Sequence, residues 1–540
     1  MQLRRNNIEQ LATETFDVLI IGGGINGAVS AASLAAKGVK VALIDQGDFA
    51  GLTSSNSSNL AWGGIKYMES YEFLLVNKLC QSRNRLMASF PSTVKEIRFF
   101  TSIQKGFRYP PFLIYLGTLL YWVMGRFKTQ APQLMSKKSI KTREPAVNAD
   151  NIAGGFEYSD CYLYDNDARF VFNFIRSAMN YGGIAANYVK ATASTRKEGY
   201  WHNSVVDTVD GREFSIRAKV LINAGGPYVD QLNRQRDQKT THRHLFSKGV
   251  HLIVDRISDS DKVLTFFASD GRLFFVIPMG PKTCIGTTDT QVESPEVTIT
   301  DQDRQFILDN INKLLDLPRA LGTEDIIAER CGVRPLALEG EDGVADWVKL
   351  SRKHVIEVDQ GEQLISIFGG KLTDCINVGD EVAEHFAQLN TGINISPANA
   401  QWRWYGEPSA AEKAEFIHQA ELMELDAMTH PSSSEPLTTR LWRRYGVNAL
   451  ELLDRIRENP SSAELLIENA EYLRCEIELA AKREMITTLE DFLRRRSKIE
   501  QVVRSQDIIS APGLRDACEI FFGDQAEAKL QQYIDSVSAP

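Results

Sequence analysis

The stretch FDVLIIGGGINGAVSAASLAAKGVKVALID at residues 16–45 constrains the fold more than any other part of the chain. Its apolar run from Phe16 to Ile21 has the composition of a strand buried on both faces of a parallel sheet. Gly22, Gly24 and Gly27 follow as GxGxxG, and Ala28 to Ala36 continues as a helix of small residues. Gly22 makes the tight turn, Gly24 lets backbone approach a diphosphate, and Gly27 lets helix and strand pack closely. The diphosphate, with Ile25 and Asn26 beside it, meets the helix N-terminus. A second apolar run, Val39 to Ile44, ends at Asp45, about 20 residues beyond the glycines, where a ribose hydroxyl is held. Strand, turn, helix, strand and acid in register predict an α/β fold with a Rossmann-like dinucleotide-binding domain.

No second GxGxxG follows another strand anywhere in 46–540. One fingerprint fits FAD reduced directly by substrate, or a single bound NAD. Three later segments favour FAD, although each alone reads equally well as a plain loop. TSSNSSNLAWGG, from Thr53 through Ser54, Ser55 and Ser58 to Gly63 and Gly64, is too irregular for helix or strand and suits backbone passing close over a flat ring. VLINAGGPYVD is a buried strand breaking after Ala224 at Gly225, the second crossing expected beneath the cofactor. Leu364 to Lys371 is a strand ending in FGGK, and a helical period follows Gly370, Lys371, Leu372 and Thr373, with its positive end toward the flavin. The cofactor-binding pieces are therefore discontinuous, at about 16–66, 180–230 (which includes Val189) and 360–390. Between them, strands at 248–254, 273–278 and 283–289 predict an antiparallel-sheet substrate domain. Asn394 to Pro408 marks the likeliest boundary, dividing a flavin-and-substrate unit, 1–395, from an all-α C-terminal domain, 400–540.

Composition narrows the class. A formal charge of -9 speaks against a nucleic-acid-coating protein, so any anionic ligand must be caught locally. The seven cysteines form no CxxC pair, and the eight histidines form no HxH or HxxxH cluster with neighbouring acids, the nearest pair, His242 and His244, being flanked by basic residues; no metal or dithiol motif is left. Met1 to Thr15 lacks the apolar core of a secretory signal, which predicts a chain that stays on the cytoplasmic side. The uncharged run YPPFLIYLGTLLYWVMG between Arg108 and Arg126 is short for a span. It reads equally as a core helix or as a helix on the membrane surface. Arg494 to Arg496, with Lys498, reads as a solvated basic face.

The motifs IIGGGINGA, SSNSSNLAWGGIKYMESYEF, GGFEYSDCYLYDNDAR, INAGGPYVD, SKGVHLIV, FVIPM, IGTTDT, CGVRPL and FGGKLTD stand in the order of one family. The chain resembles the flavin-dependent glycerol-3-phosphate dehydrogenases over nearly its whole length. The resemblance implies FAD as cofactor, a small anionic substrate, and oxidation of glycerol 3-phosphate to dihydroxyacetone phosphate. Electrons would pass to quinone, or to oxygen if the protein is an oxidase. It leaves open contact with the membrane surface and a homodimer. Position by position it implies Arg334 at the substrate, Lys371 beside the flavin, Lys66 and Tyr67 in place of an Arg-Tyr pair, and His251 in proton transfer. Read without the family, Arg334 and Lys371 are surface cations and His251 is a structural histidine in a strand.

Departures from the family pattern bear on the substrate. LAWGGIKYM replaces the usual LIHGGLRYL, so Trp62 stands for a histidine and Lys66 for an arginine. Tryptophan accepts no proton, and lysine lacks the planar fork that binds phosphate bidentately. Asp374 adds an acid where the family runs toward an arginine, predicting less positive charge near the site. The rival readings are an FAD-dependent oxidase or dehydrogenase of another polar hydroxy acid or amino acid, and a catalytically weakened FAD-binding protein.

Overall fold

In a computed structural model, residues 2–538 are described except 269, 341–352, 390, 397–408, 432, 434, 468 and 469. The strand Thr15–Ile21 forms as its sequence requires: Val18, Leu19 and Ile20 are wholly buried, and each completely buried aliphatic side chain contributes about 1.5–3 kcal/mol. It lies at the centre of a sheet ordered Leu364–Phe368, Glu213–Asn223, Thr15–Ile21, Val41–Ile44 and Ile184–Ala186, all parallel. Val355–Asp359 closes one edge antiparallel, and the hairpin of Val189–Lys197 with Tyr200–Asp207 pairs on the later strand. The helix Ile25–Ala36 packs on this sheet between the helices Asp167–Asn180 and Cys375–Gln388. Two fingerprint glycines are forced. Gly22 has φ +110°, and a Cβ there would lie 2.3 Å from the Ala224 carbonyl oxygen. A Cβ on Gly27 would lie 1.8 Å from the Gly22 carbonyl oxygen.

Among the described residues the second sheet has ten strands and is antiparallel apart from one parallel pair, Val263–Phe267 with Val94–Gln104. Its long members His242–Asp255 and Ala328–Glu339 pair from His242–Glu339 to Ile253–Ala328. The strands expected at 248–254, 273–278 and 283–289 are present as His242–Asp255, Leu273–Met279 and Lys282–Gly286. Glycine, a residue without side chain, recurs in this sheet where something must lie flat on it. A Cβ on Gly249 would come 2.3 to 2.6 Å from the Arg334 guanidinium.

From Ala410 onward, the described elements are helices, from Ala410–Leu422 to Ala526–Ser538. The expected boundary at 394–408 falls largely outside the described residues. The basic cluster is not a solvated face. Arg495 and Arg496 are buried and donate to both carboxylate oxygens of Asp48, on the loop after Val41–Ile44. Sequence periodicity cannot see a partner some 450 positions away. The uncharged run forms the helix Pro111–Met124, with Pro111 in its first turn where proline is tolerated. It is not a core helix, since only Thr118 and Tyr121 are buried and Phe112, Leu113, Leu116, Leu120 and Val123 are exposed. No helix among the described residues is long and apolar enough to cross a membrane.

Candidate active site

Two connected cavities share Ile25, Thr53, Ser54, Pro335 and Gly370 and together form one groove between the sheets. The narrower, about 100 Å³, runs along Gly22, Gly24, Asn26, Asp45, Ala224 and Gly225. The wider, about 300 Å³, holds Lys66, Tyr67, His251, Arg334 and Lys371, with Ser58, Leu372 and Thr373. Residues from five separate stretches of the chain thus meet in one place. Ser55, Gly27, Gly63, Gly64 and Val189 line neither cavity. Ser55 donates to the Leu52 carbonyl and closes the loop turn behind the groove. Gly63 donates to Asp160, and a Cβ on it would meet the Tyr121 hydroxyl at 2.1 Å, so it is a packing glycine. A Cβ on Gly64 would likewise strike the Tyr67 ring. Val189 supports Asp45 from behind, its N–H donating to the Asp45 carbonyl.

At the narrow end, the Asp45 carboxylate accepts from the Gly23 and Gly47 amides at 2.7 and 2.9 Å. Burial raises its pKa to about 6 against those bonds. A hydroxyl donor reaching its remaining lone pairs would be welcome there. Past it, the groove is walled by glycine backbone at the start of the helix Ile25–Ala36. It then opens on Lys371 and Thr373. A carboxylate, a helix N-terminus without side chains, and a polar chamber, in that order, match the ribose, diphosphate and flavin ends of FAD.

In the wide chamber, His251 is 2% exposed and neither ring nitrogen has a hydrogen-bond partner among the described residues. Burial first, then the charges of Arg334 and Arg330, hold its pKa down at about 3, so the imidazole is neutral at working pH. Arg334 lies over Gly249 and is oriented by the Thr287 hydroxyl (2.9 Å), the Thr288 carbonyl and Asp289 (both 3.3 Å). The Lys371 ammonium stands 4.1 Å above the Tyr67 ring. Trp62 is part of the wall, its indole N–H donating to the Tyr158 hydroxyl at 3.1 Å. Sequence reasoning missed Arg272, Thr287, Asp289 and Phe275 as lining residues. Arg272 precedes the recognised FVIPM motif, Phe275 is its first residue, and Thr287 and Asp289 lie inside IGTTDT. Nothing in their local pattern points inward.

Asp374 does not reduce the charge facing this chamber. It is buried behind Thr373, accepting from Ser82 at 2.7 Å and Asn377 at 2.6 Å, with His354 Nδ1 at 3.0 Å. The other His354 nitrogen meets Glu381 at 2.6 Å, and Lys78 donates to the same carboxylate. Burial would lower the His354 pKa, but its bonds to Asp374 and Glu381 outweigh that and raise it to about 9. A folded pKa raised above its ordinary value adds stability that is complete below about pH 6.5 and is lost as pH rises through about 9. His354→Gln should remove that slope, lowering stability by up to about 3 kcal/mol at pH 6 and progressively less as pH rises from about 6.5 to about 9. Urea midpoints of both proteins at pH 6 and pH 10 check it; an equal deficit at both values would refute the assignment.

Residues 17–371 match the FAD dependent oxidoreductase family, and residues 409–514 match the C-terminal domain of alpha-glycerophosphate oxidase. The glycerol-3-phosphate dehydrogenase of Pseudomonas aeruginosa is 30% identical over 493 residues, covering 90% of this chain and 92% of that protein. The aerobic glycerol-3-phosphate dehydrogenase of Staphylococcus epidermidis is 31% identical over 511 residues, 92% of this chain and 89% of that protein. In three dimensions the glycerol-3-phosphate dehydrogenase from Bacillus halodurans, solved with FAD, superposes with a TM-score of 0.74. It covers 99% of this chain and 96% of that one at 24% identity, so it speaks for the fold. The chain therefore belongs to the FAD dependent oxidoreductases, among the glycerol-3-phosphate dehydrogenase family, and its cofactor is FAD.

Proposed function

We propose that this protein oxidises sn-glycerol 3-phosphate to dihydroxyacetone phosphate and passes the electrons to a quinone. The observation that carries the reading is His251: a neutral imidazole, both nitrogens unpartnered among the described residues, buried in the same chamber as Arg334, Lys66 and Lys371. Leaving buried polar atoms unpaired costs about 1–3 kcal/mol each. Such a cost is tolerated where a substrate supplies the missing partner.

Gly22, Gly24, Asn26 and Asp45 would hold the dinucleotide end of FAD, and Gly370, Lys371, Leu372 and Thr373 its flavin end. When bound, FAD accepts the hydride that leaves the substrate's secondary alcohol carbon. The other steps belong to the chain. Arg334, held by Thr287 and Asp289, and the ammonium of Lys66 bind the phosphate dianion. Tyr67 places Lys371 by holding its ammonium over the ring, where it steadies the developing ketone oxygen. A neutral His251 nitrogen takes the hydroxyl proton. Family membership and the retained cations favour this reading over a weakened FAD-binding protein. Trp62 and Lys66 favour the rival substrate class, polar hydroxy acids or amino acids, because they trade a hydrogen-bonding histidine and a phosphate fork for an apolar wall and a point charge.

The flavin-and-substrate unit, about 1–395, and the helical domain, about 400–540, belong to the same reading. So does attachment to the cytoplasmic membrane face through the exposed apolar row of Pro111–Met124, which Arg126 and Lys128 follow; the same row would serve a second copy of the chain. Mixing the purified yellow protein anaerobically with glycerol 3-phosphate should bleach the flavin within the mixing time of a stopped-flow run. If dithionite bleaches it and glycerol 3-phosphate does not, the substrate is wrong, and a panel of hydroxy acids and amino acids identifies the replacement.

A further inference from the structure

We propose that His244 is a positioning residue for the flavin end of the groove, acting through the backbone of the Gly369–Gly370 turn; this rests on the reading above that FAD occupies the groove. His244 does not line either cavity and carries no recognised motif. Its side chain is wholly buried at the start of His242–Asp255, against the Phe368 ring at 5.3 Å. The Gly369 N–H donates to His244 Nε2 at 3.0 Å. A donor arriving at Nε2 means that this nitrogen bears no proton, so the neutral ring carries its proton on Nδ1.

Nδ1 faces Asp230, whose carboxylate oxygen lies 3.4 Å away and also accepts the His244 backbone N–H at 2.9 Å. Asp230 belongs to the short helix Val229–Arg234 that follows Gly225 and Gly226. His244 therefore bridges the two glycine turns that wall the groove: Asp230 through its backbone N–H, with Nδ1 facing the same carboxylate, and Gly369 through Nε2. The second turn needs such a hold. Gly369 and Gly370 have φ +62° and +116°; side chains disfavour the first and are strained at the second, and glycine adopts both without being fixed in them. Its opposite side is held by Asn26, which donates to the Gly369 carbonyl at 2.9 Å. One residue, Gly369, is thus clamped at its N–H by His244 and at its C=O by Asn26, which fixes the peptides on both sides of it, with Gly370 and Lys371 next in line against the flavin end.

Phenylalanine at 244 keeps the packing on Phe368 and removes the acceptor. Glutamine keeps an acceptor oxygen at similar reach. The FAD dissociation constant, from quenching of flavin fluorescence on titrating apoprotein, and the midpoint potential of bound FAD are measured for wild type, His244→Phe and His244→Gln. His244→Phe should weaken FAD about tenfold to a hundredfold and shift the potential, because the Gly369 N–H is left buried and unpaired. His244→Gln should recover most of both. Equal affinity and potential in His244→Phe and wild type would overturn the proposal, as would equal losses in the two variants, which mark a residue that merely packs. Failure of wild-type apoprotein to take up FAD would instead reject the groove assignment. Should His244→Phe not fold, Asp230→Asn, at a partly exposed position, carries the test: it removes the charge that faces Nδ1 and should weaken FAD several-fold, and unchanged affinity would overturn the proposal.

Discussion

Arg334→Met is expected to lower kcat/KM for glycerol 3-phosphate by about 100- to 1,000-fold while leaving FAD bound, because a charged, pre-oriented phosphate partner is lost and no cofactor contact is. Three features of the site set the size of the effect. The guanidinium is prealigned by Thr287, Thr288 and Asp289, so wild type gives up little side-chain freedom when the anion arrives. Methionine fills similar space above Gly249, so collapse of the chamber is not the cause. Removal also takes the Arg334 countercharge from Asp289, to which Ser247 donates, so that carboxylate repels the incoming dianion more strongly. A second readout separates this from simple loss of affinity. Arg334 is one of the charges that hold the His251 pKa down. Without it the pKa rises toward the ordinary histidine value, and a base works only when unprotonated. The acid limb of the kcat/KM profile should therefore move to higher pH in Arg334→Met. An unmoved limb with unchanged substrate affinity would remove Arg334 from the site.

How much of this was legible beforehand depended on whether the information was local. The fingerprint was, because Gly27 answers to the Gly22 carbonyl within one strand–helix unit and Gly22 takes the positive φ of its tight turn, although the carbonyl that crowds Gly22 belongs to Ala224, some 200 positions on. The FGGK strand and the VLINAGG crossing were legible for the same reason, and the order of family motifs carried His251, Arg334 and Lys371 into one chamber. Direction was not. Asp374 sits one residue after Thr373, which lines the chamber, yet the turn Leu372–Asp374 swings its carboxylate back to Ser82, nearly 300 positions earlier. Gly63 and Gly64 looked like cofactor glycines but make room for Tyr121 behind the wall and for Tyr67, which lines the chamber in their stead. Exposure of Pro111–Met124 was equally hidden, since an apolar run has one composition whether it is buried in a core or laid on a surface.

The largest stability effect belongs to a residue that no motif marks. Asp48→Asn should destabilise the folded protein by about 3–5 kcal/mol, the usual cost of removing one partner from a buried ion pair. Asp48 is 4% exposed and receives Arg495 at 2.6 Å, both terminal nitrogens of Arg496 at 2.7 and 2.8 Å, and Asn187 at 2.8 Å. Arg496 is held above the Phe172 ring at 4.2 Å and cannot turn to water, so the charge would stay buried with one oxygen where there were two and no countercharge on it. Arg495 retains Asp491 and Glu490, which is why the cost stays within that range. Burial acts to raise the Asp48 pKa, but Arg496 and Arg495 overcome it and hold it below the usual carboxylate value. A depressed folded pKa gives stability that is complete above about pH 4 and is lost as pH falls through the folded value. Wild type should thus lose its advantage over Asp48→Asn only in acid, and an advantage unchanged at pH 3 would contradict the assignment. Because Asp48 stands three residues after Asp45 on the loop that leads to Thr53, the variant should also bind FAD more weakly. The π-helical turn Asp491–Arg496 presses on that same loop, with Arg494 donating to Asn56 at 3.4 Å. Through these contacts the C-terminal helices act as the back wall of the cofactor loop, and loosening them at one carboxylate should be felt at the flavin.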